Sequence, residues 1–197
     1  MKIIISIVLI LLSVNYVSEQ DPSAIDDNHL LINEIIDTLI LHDNTYEDEL
    51  ISNTKENEDN YCILIDTVSI RKMGLDEEEY CMKSNSQFTS CFGVDTNYKL
   101  IVKTLYSPLP NFRVDLQKLK TNINCKLLAK HKLKADTNNR IFATIAFSIP
   151  VIDKVNGRAA VYATTKKSSL NTQGIIFFLK LMEGKWKIVR NAVLWTS

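Results

Sequence analysis

Four short apolar segments separated by turn residues occupy the last third of the chain and set its fold class. Ile141 to Val151 (IFATIAFSIPV), Arg158 to Thr165 (RAAVYATT), Gly174 to Met182 (GIIFFLKLM) and Lys185 to Trp195 (KWKIVRNAVLW) have the length and the β-branched, aromatic composition of strands. Asn156-Gly157 stands between the first two. Both central positions of a type I′ turn need positive φ, so this pair predicts a two-residue hairpin. Glu183-Gly184 turns the chain between the last two, and Lys166 to Gln173 reads as a polar loop. Regular spacing with tight turns predicts an antiparallel four-strand meander.

A helical period precedes it. Ile32, Ile35, Ile36, Leu39 and Ile40 recur at helical spacing, with Asn33, Glu34, Asp37 and Thr38 between them. This predicts an amphipathic helix over about residues 23–42, opened by Ser23 at the N-cap with Asp26 three residues on. The fold class is therefore α+β: an N-terminal amphipathic helix packed on an antiparallel sheet that ends in the meander. Between them, residues 43–60 are acidic and read as a solvated loop after a helical turn at 46–51. Tyr61 to Ile70 reads as a strand, and Leu75 to Met82 as one or two helical turns. Tyr98 to Tyr106 suits a strand or a helix and is ended by Pro108 and Pro110. Apolar residues at 46% with only 5 Gly and 4 Pro exclude collagen and low-complexity disorder.

The first residues have the three-part layout of a secretory signal. Met1-Lys2 is a short basic region, Ile3 to Val14 is an uncharged apolar run of 12 residues, and Asn15 to Ser18 is polar. A bilayer span needs about 20 apolar residues. The expectation is a signal peptide over 1–18, a single α+β domain over 19–197, a secreted or periplasmic location and no stable membrane anchor after cleavage. Four cysteines, Cys62, Cys81, Cys91 and Cys125, permit two disulfides in an oxidising compartment. The closeness of Cys81 and Cys91, across a loop rich in Ser, Asn and Gln, favours that pair. No C-x-x-C occurs and His29, His42 and His131 lie far apart, so neither a metal nor another cofactor is expected.

Charge is segregated along the chain. Residues 1–98 hold 19 acids against 5 bases, and residues 99–197 hold 4 acids against 18 bases. The second half could meet an anionic partner, or the halves could face each other and neutralise. Its most regular basic feature lies at 123–134, where Ile123, Cys125, Leu127, Ala129, His131 and Leu133 alternate with polar positions. Period two predicts a strand, preceded by a helix through Leu116, Leu119 and Ile123, with Lys126, Lys130, Lys132 and Lys134 in an outward row. That row is the candidate anion-binding site. Its structural explanation is the guarding of a sheet edge against pairing with other chains. Nucleic acid is not an expected partner, because export and the lack of interleaved aromatics argue against it. A protein or a polyanion is.

No catalytic constellation stands out. The acids Glu47-Asp48-Glu49 and Glu77-Glu78-Glu79 are adjacent, and adjacent helical residues point in different directions. Ser148 precedes Ile149-Pro150 in a strand and lacks the glycine-flanked elbow of a serine nucleophile. Trp186 and Trp195, nine residues apart, fall on opposite faces of an ideal strand.

Taken together, Phe147-Ser148-x-Pro150, Ala160-Val161-Tyr162, Phe178-Leu179, Gly184-Lys185-Trp186-Lys187-Ile188-Val189 and Trp195 resemble the terminal sheet of a family of uncharacterised small exported bacterial proteins, over about residues 120–197. Many of those relatives carry a glycine- and cysteine-rich loop between the second and third strands. Here that loop is KKSSLNTQ. The resemblance implies a sheet and no catalytic residue. The expected function is that of an exported, non-catalytic interaction or binding module. The alternative is a cone-shaped small-ligand-binding protein or hydrolase of the nuclear-transport-factor or cystatin type. A third class, an inhibitor or immunity-type protein, would act through the acidic segment.

Overall fold

A computed structural model describes residues 22–41, 61–70, 78–110, 112–123, 125–132, 140–168 and 171–197. The expected signal peptide and the acidic segment 43–60 lie outside them. Helix α1 spans Pro22–Leu41. Its start at Pro22 suits the first helical position and puts Ser23 inside the first turn rather than at the N-cap. Its stripe is buried as the period requires: Leu31, Ile32, Ile35, Ile36, Leu39 and Ile40 are all at most 2% exposed.

Strand β1 (Tyr61–Ile70) follows the expected bounds. It pairs parallel with both neighbours, β2 (Lys126–Ala129) and β3 (Arg140–Ser148), so the sheet is mixed rather than wholly antiparallel. The run Ile63, Leu64 and Ile65 is buried residue after residue, as suits a strand flanked by parallel partners. The antiparallel part consists of β4 (Val151–Asp153), β5 (Arg158–Ser168), β6 (Asn171–Met182) and β7 (Lys185–Thr196) together with β3. The seven-stranded sheet runs β2-β1-β3-β5-β6-β7, with β4 also on β5.

The single strand expected over 141–151 is split at Ile149-Pro150. Phe147 pairs with Ala163 but Val151 with Ala160, so one extra residue bulges out between them. Pro150 has no N–H to give the ladder. The Ser148 hydroxyl takes over there, accepting the Tyr162 N–H at 3.0 Å and donating to the Ile149 carbonyl at 3.0 Å.

Among the described residues between β1 and β2, three short helices and two 3-10 turns form. Helix α2 (Glu78–Met82) meets the expectation of a turn or two. The Ser- and Asn-rich stretch read as a loop is instead helix α3 (Asn85–Phe92). Ser84 caps it by accepting the Gln87 N–H, Gly93 ends it at φ 66°, and Phe88 and Phe92, four apart, bury its inner side. The 98–106 segment is a helix, α4 (Lys99–Tyr106), after a 3-10 turn at Thr96–Tyr98. Of the helix expected through 116–123, only a 3-10 turn at Leu116–Lys118 forms, capped by Asp115.

In β6, Ile175, Ile176, Phe177, Phe178 and Leu179 are each 0% exposed. Successive strand residues point to opposite faces, so both faces of the sheet are covered there. Ile176 and Phe178 face α3 and the 3-10 turn, with the Phe178 ring 6.0 Å from Phe92 and 5.3 Å from Tyr98. Helix α1, lying against β5 and β7, closes the face of Ile175, Phe177 and Leu179.

Candidate functional site

The strand expected to carry the lysine row is cut short. Strand β2 stops at Ala129, and Lys130–Lys132 turn as a 3-10 helix. β2 pairs with β1 only over Cys62–Ile65, and the next backbone groups of β1, at Thr67 and Ser69, bond instead to Val114 and Phe112. Lys126 is exposed on the edge strand. Lys130 leaves the strand and its Nζ meets the Asp66 carboxylate at 3.2 Å. The Lys132 side chain and all of Lys134 lie outside the described residues. Of the two lysines whose side chains are described, one stands on the sheet edge and the other is ion-paired.

The cysteine expectation fares better. The Cys81 and Cys91 sulfurs lie at disulfide distance, with Cα atoms 5.8 Å apart, tying α2 to the last turn of α3. Cys125 is half-buried ahead of β2, and the Cys62 side chain lies outside the description.

Ser148, 1% exposed, uses its hydroxyl in the bulge as described. Trp186 and Trp195 are both half-buried. Trp195 donates its indole N–H to the Tyr162 hydroxyl at 3.0 Å. Burial pushes Tyr162 above the ordinary tyrosine value, and the indole bond opposes this. Tyr98 is also raised, by burial first, against the lowering effect of Arg158; its hydroxyl donates to the Leu179 carbonyl.

Two surfaces concentrate polar groups. The first is a cleft of about 760 Å³ between α1 and the segment after α4, lined by His29, Leu30, Asn33, Glu34, Lys118, Lys120 and Asn122. Much of its polar lining holds the fold. Asn33 donates to the Lys118 carbonyl and accepts the Lys120 N–H, and His29 Nε2 accepts the Asp115 N–H. One turn further along α1, the Asp37 carboxylate accepts from Thr121 and Asn122.

The second is where β4–β5 and β6–β7 turn. Asn156-Gly157 does not make a two-residue hairpin. The turn runs over 154–157, with only Gly157 at positive φ, because the Asp153 carboxylate accepts both the backbone N–H and the side-chain amide of Asn156. These bonds hold the Asp153 carboxyl below the usual carboxylate value. The two-residue turn with φ positive at both positions is Glu183-Gly184. The Leu181 N–H bonds to the Gly157 carbonyl at 2.8 Å and binds the turns together. Arg158 pairs across to Asp153 on one side and Lys180 on the other, and Lys180 pairs to Lys187, so three cations stand in one row with an acid at its β4 end. Lys185 pairs with Met182 one step further out. Lys180, Lys185 and Lys187 are exposed. Among the described residues, no group of His, Cys, Asp and Glu could hold a metal, and no helix is long and apolar enough to cross a membrane.

Comparison with protein-family models, curated proteins and solved structures yields no match.

Proposed function

We propose that the chain is an exported, non-catalytic interaction domain of the envelope or extracellular space, and that it meets an anionic partner through the cations of its second half. The carrying observation is the Arg158, Lys180 and Lys187 row. Like charges directly opposite one another in an antiparallel pair destabilise it by some tenths of a kcal/mol. Asp153 stands opposite Arg158 at one end of the row, and the exposed pair Lys180 and Lys187 at the other is poised for negative charge. Cys81 and Cys91 at disulfide distance fit an oxidising compartment. Lys126 on the β2 edge suits the guarding role, since an exposed lysine discourages pairing with another chain.

The test is retention on a heparin resin under a salt gradient. Wild type and a Lys126→Glu/Lys130→Glu variant are expected to elute together and late, and Lys180→Glu/Lys187→Glu early. Wild-type flow-through at low salt contradicts the reading. A second reading, a small-ligand-binding protein of the cone-shaped type, draws on the cleft beside α1. Its volume lies within the roughly 300–1,000 Å³ of ligand pockets. A small-molecule thermal-shift screen with hits abolished by Glu34→Ala supports that reading; a screen without hits removes it.

A further inference from the structure

Beyond the cation row, the same end of the sheet presents apolar side chains to solvent. Val155, in the first turn, is 93% exposed; Met182 and Leu181, beside the second, are 49% and 42% exposed. The Leu181 bond to Gly157 fixes the two turns side by side, so these side chains form one tip. Lys185 stands opposite Met182 in the tip, and behind it come Lys180 and Lys187, with Arg158 over the Tyr98 ring at 5.8 Å. Half-buried Trp186 pairs with Leu181 on the opposite face of the same hairpin. Negative charge here comes from Glu183 in the turn and from Asp153, which is bonded to Asn156 and stands opposite Arg158, while Lys154 is ion-paired to Asp27 at 3.0 Å.

Val155 and Met182 project at the apex, with Lys185 opposite Met182 and Glu183 in the turn, and Lys180 and Lys187 pair two residues behind them. A lipid surface has the complementary order: anionic headgroups outermost and acyl chains just beneath. A bilayer offers the exposed apolar side chains an acyl layer beneath its anionic groups, whereas a free polyanion gains nothing from Val155, Leu181 or Met182. Tryptophan at headgroup level adds to the match. On this basis we infer that the two-turn tip is a docking site for an anionic lipid surface. Val155 and Met182 enter the interface while Lys180, Lys185 and Lys187 contact lipid phosphates. The inference rests on the anionic-partner reading above and names the partner. The contact is reversible and peripheral, because two or three small apolar side chains bury far less area than a membrane-spanning helix.

The experiment is co-sedimentation of the whole mature protein with vesicles of equal parts phosphatidylglycerol and phosphatidylcholine, against vesicles of phosphatidylcholine alone. The expected result is binding to the anionic vesicles only, weakened by salt. Lys180→Glu/Lys187→Glu should lower partitioning by at least about tenfold, since each lysine near such a surface is worth about fivefold and reversal more than removes it. Val155→Asp/Met182→Asp, which leaves every lysine in place, should also lower it severalfold. Exposed substitutions of this kind alter stability by about 0.5 kcal/mol or less, and matching circular dichroism confirms the fold. Heparin retention without vesicle binding overturns the lipid inference and leaves the anionic-partner reading standing; absence of both overturns both. Vesicle binding unchanged by either variant places the contact elsewhere and overturns the tip assignment.

Discussion

Gly174 carries a specific stability requirement. It lies in β6 opposite Trp195 of β7, and Tyr162 from β5 reaches over the same spot. A Cβ at this position would stand 2.7 Å from the Tyr162 hydroxyl and closer still to the indole nitrogen of Trp195. Both side chains belong to the Trp195–Tyr162 hydrogen bond. Gly174→Ala must therefore break that bond, costing about 1 kcal/mol. It must also displace two ring systems from their rotamers, about 0.5–1.5 kcal/mol each. The reduced freedom of the unfolded chain returns about 0.4–1 kcal/mol. The net destabilisation is about 1–3.5 kcal/mol, which for a chain of this length lowers Tm by about 2–14 °C. Thermal unfolding followed by tryptophan fluorescence measures it. In a Trp195→Leu background, which removes the nearest atoms, the same alanine should cost less than half as much. Equal costs in the two backgrounds would refute the reasoning.

Replacing Cys81 and Cys91 together by Ser, or reducing the pair, should destabilise by about 2–3 kcal/mol on the chain-entropy account; a non-reduced peptide map that leaves the two unlinked contradicts the pairing. Asn33→Ala removes two bonds from α1 to the backbone of Lys118 and Lys120 and should cost about 1–2 kcal/mol, with faster amide exchange at Lys120 as its local sign. Tyr98 and Tyr162 have folded pKa values above the ordinary 10.0, so above that pH the unfolded chain binds fewer protons than the native one and stability falls. An absorbance titration should show a component ionising above about pH 10 that shrinks in Tyr98→Phe and in Tyr162→Phe, with stability declining beyond that pH; a titration unchanged in both variants contradicts this.

What the sequence made legible follows from the strength of local signals. The Ile32–Ile40 stripe and the apolar runs of β1, β5, β6 and β7 carry an unmistakable period or composition, and the structure places each within a few residues. Pairing direction is not a local property. Nothing in YCILIDTVSI says that β1 runs parallel to its neighbours, except that its buried run does not alternate. Helix α3 was hidden by weak hydrophobicity, although its Ser84 cap, its Gly93 stop and the Phe88–Phe92 spacing were all present. The lysine alternation at 126–134 was a true period that its neighbours cut short, because β1 bonds the 112–114 segment beyond Ile65. The cation row was partly derivable. A two-residue turn at Glu183-Gly184 sets Met182 against Lys185, and Lys180 then falls opposite Lys187. Arg158 joins them only through the β5–β6 register, which could not be read because the polar stretch 166–173, expected to be a loop, in fact pairs as the ends of the two strands.

The two tryptophans of the chain stand at opposite ends of β7. Nine residues separate Trp186 near the tip from Trp195, about 30 Å at about 3.4 Å per residue. Single-tryptophan variants, Trp195→Phe and Trp186→Phe, mixed with anionic vesicles containing brominated lipid, report which end meets the bilayer. The account predicts quenching of Trp186 in the first variant and almost none of Trp195 in the second, with the Trp186 signal restored by salt. Quenching of Trp195 alone, or of neither, contradicts it.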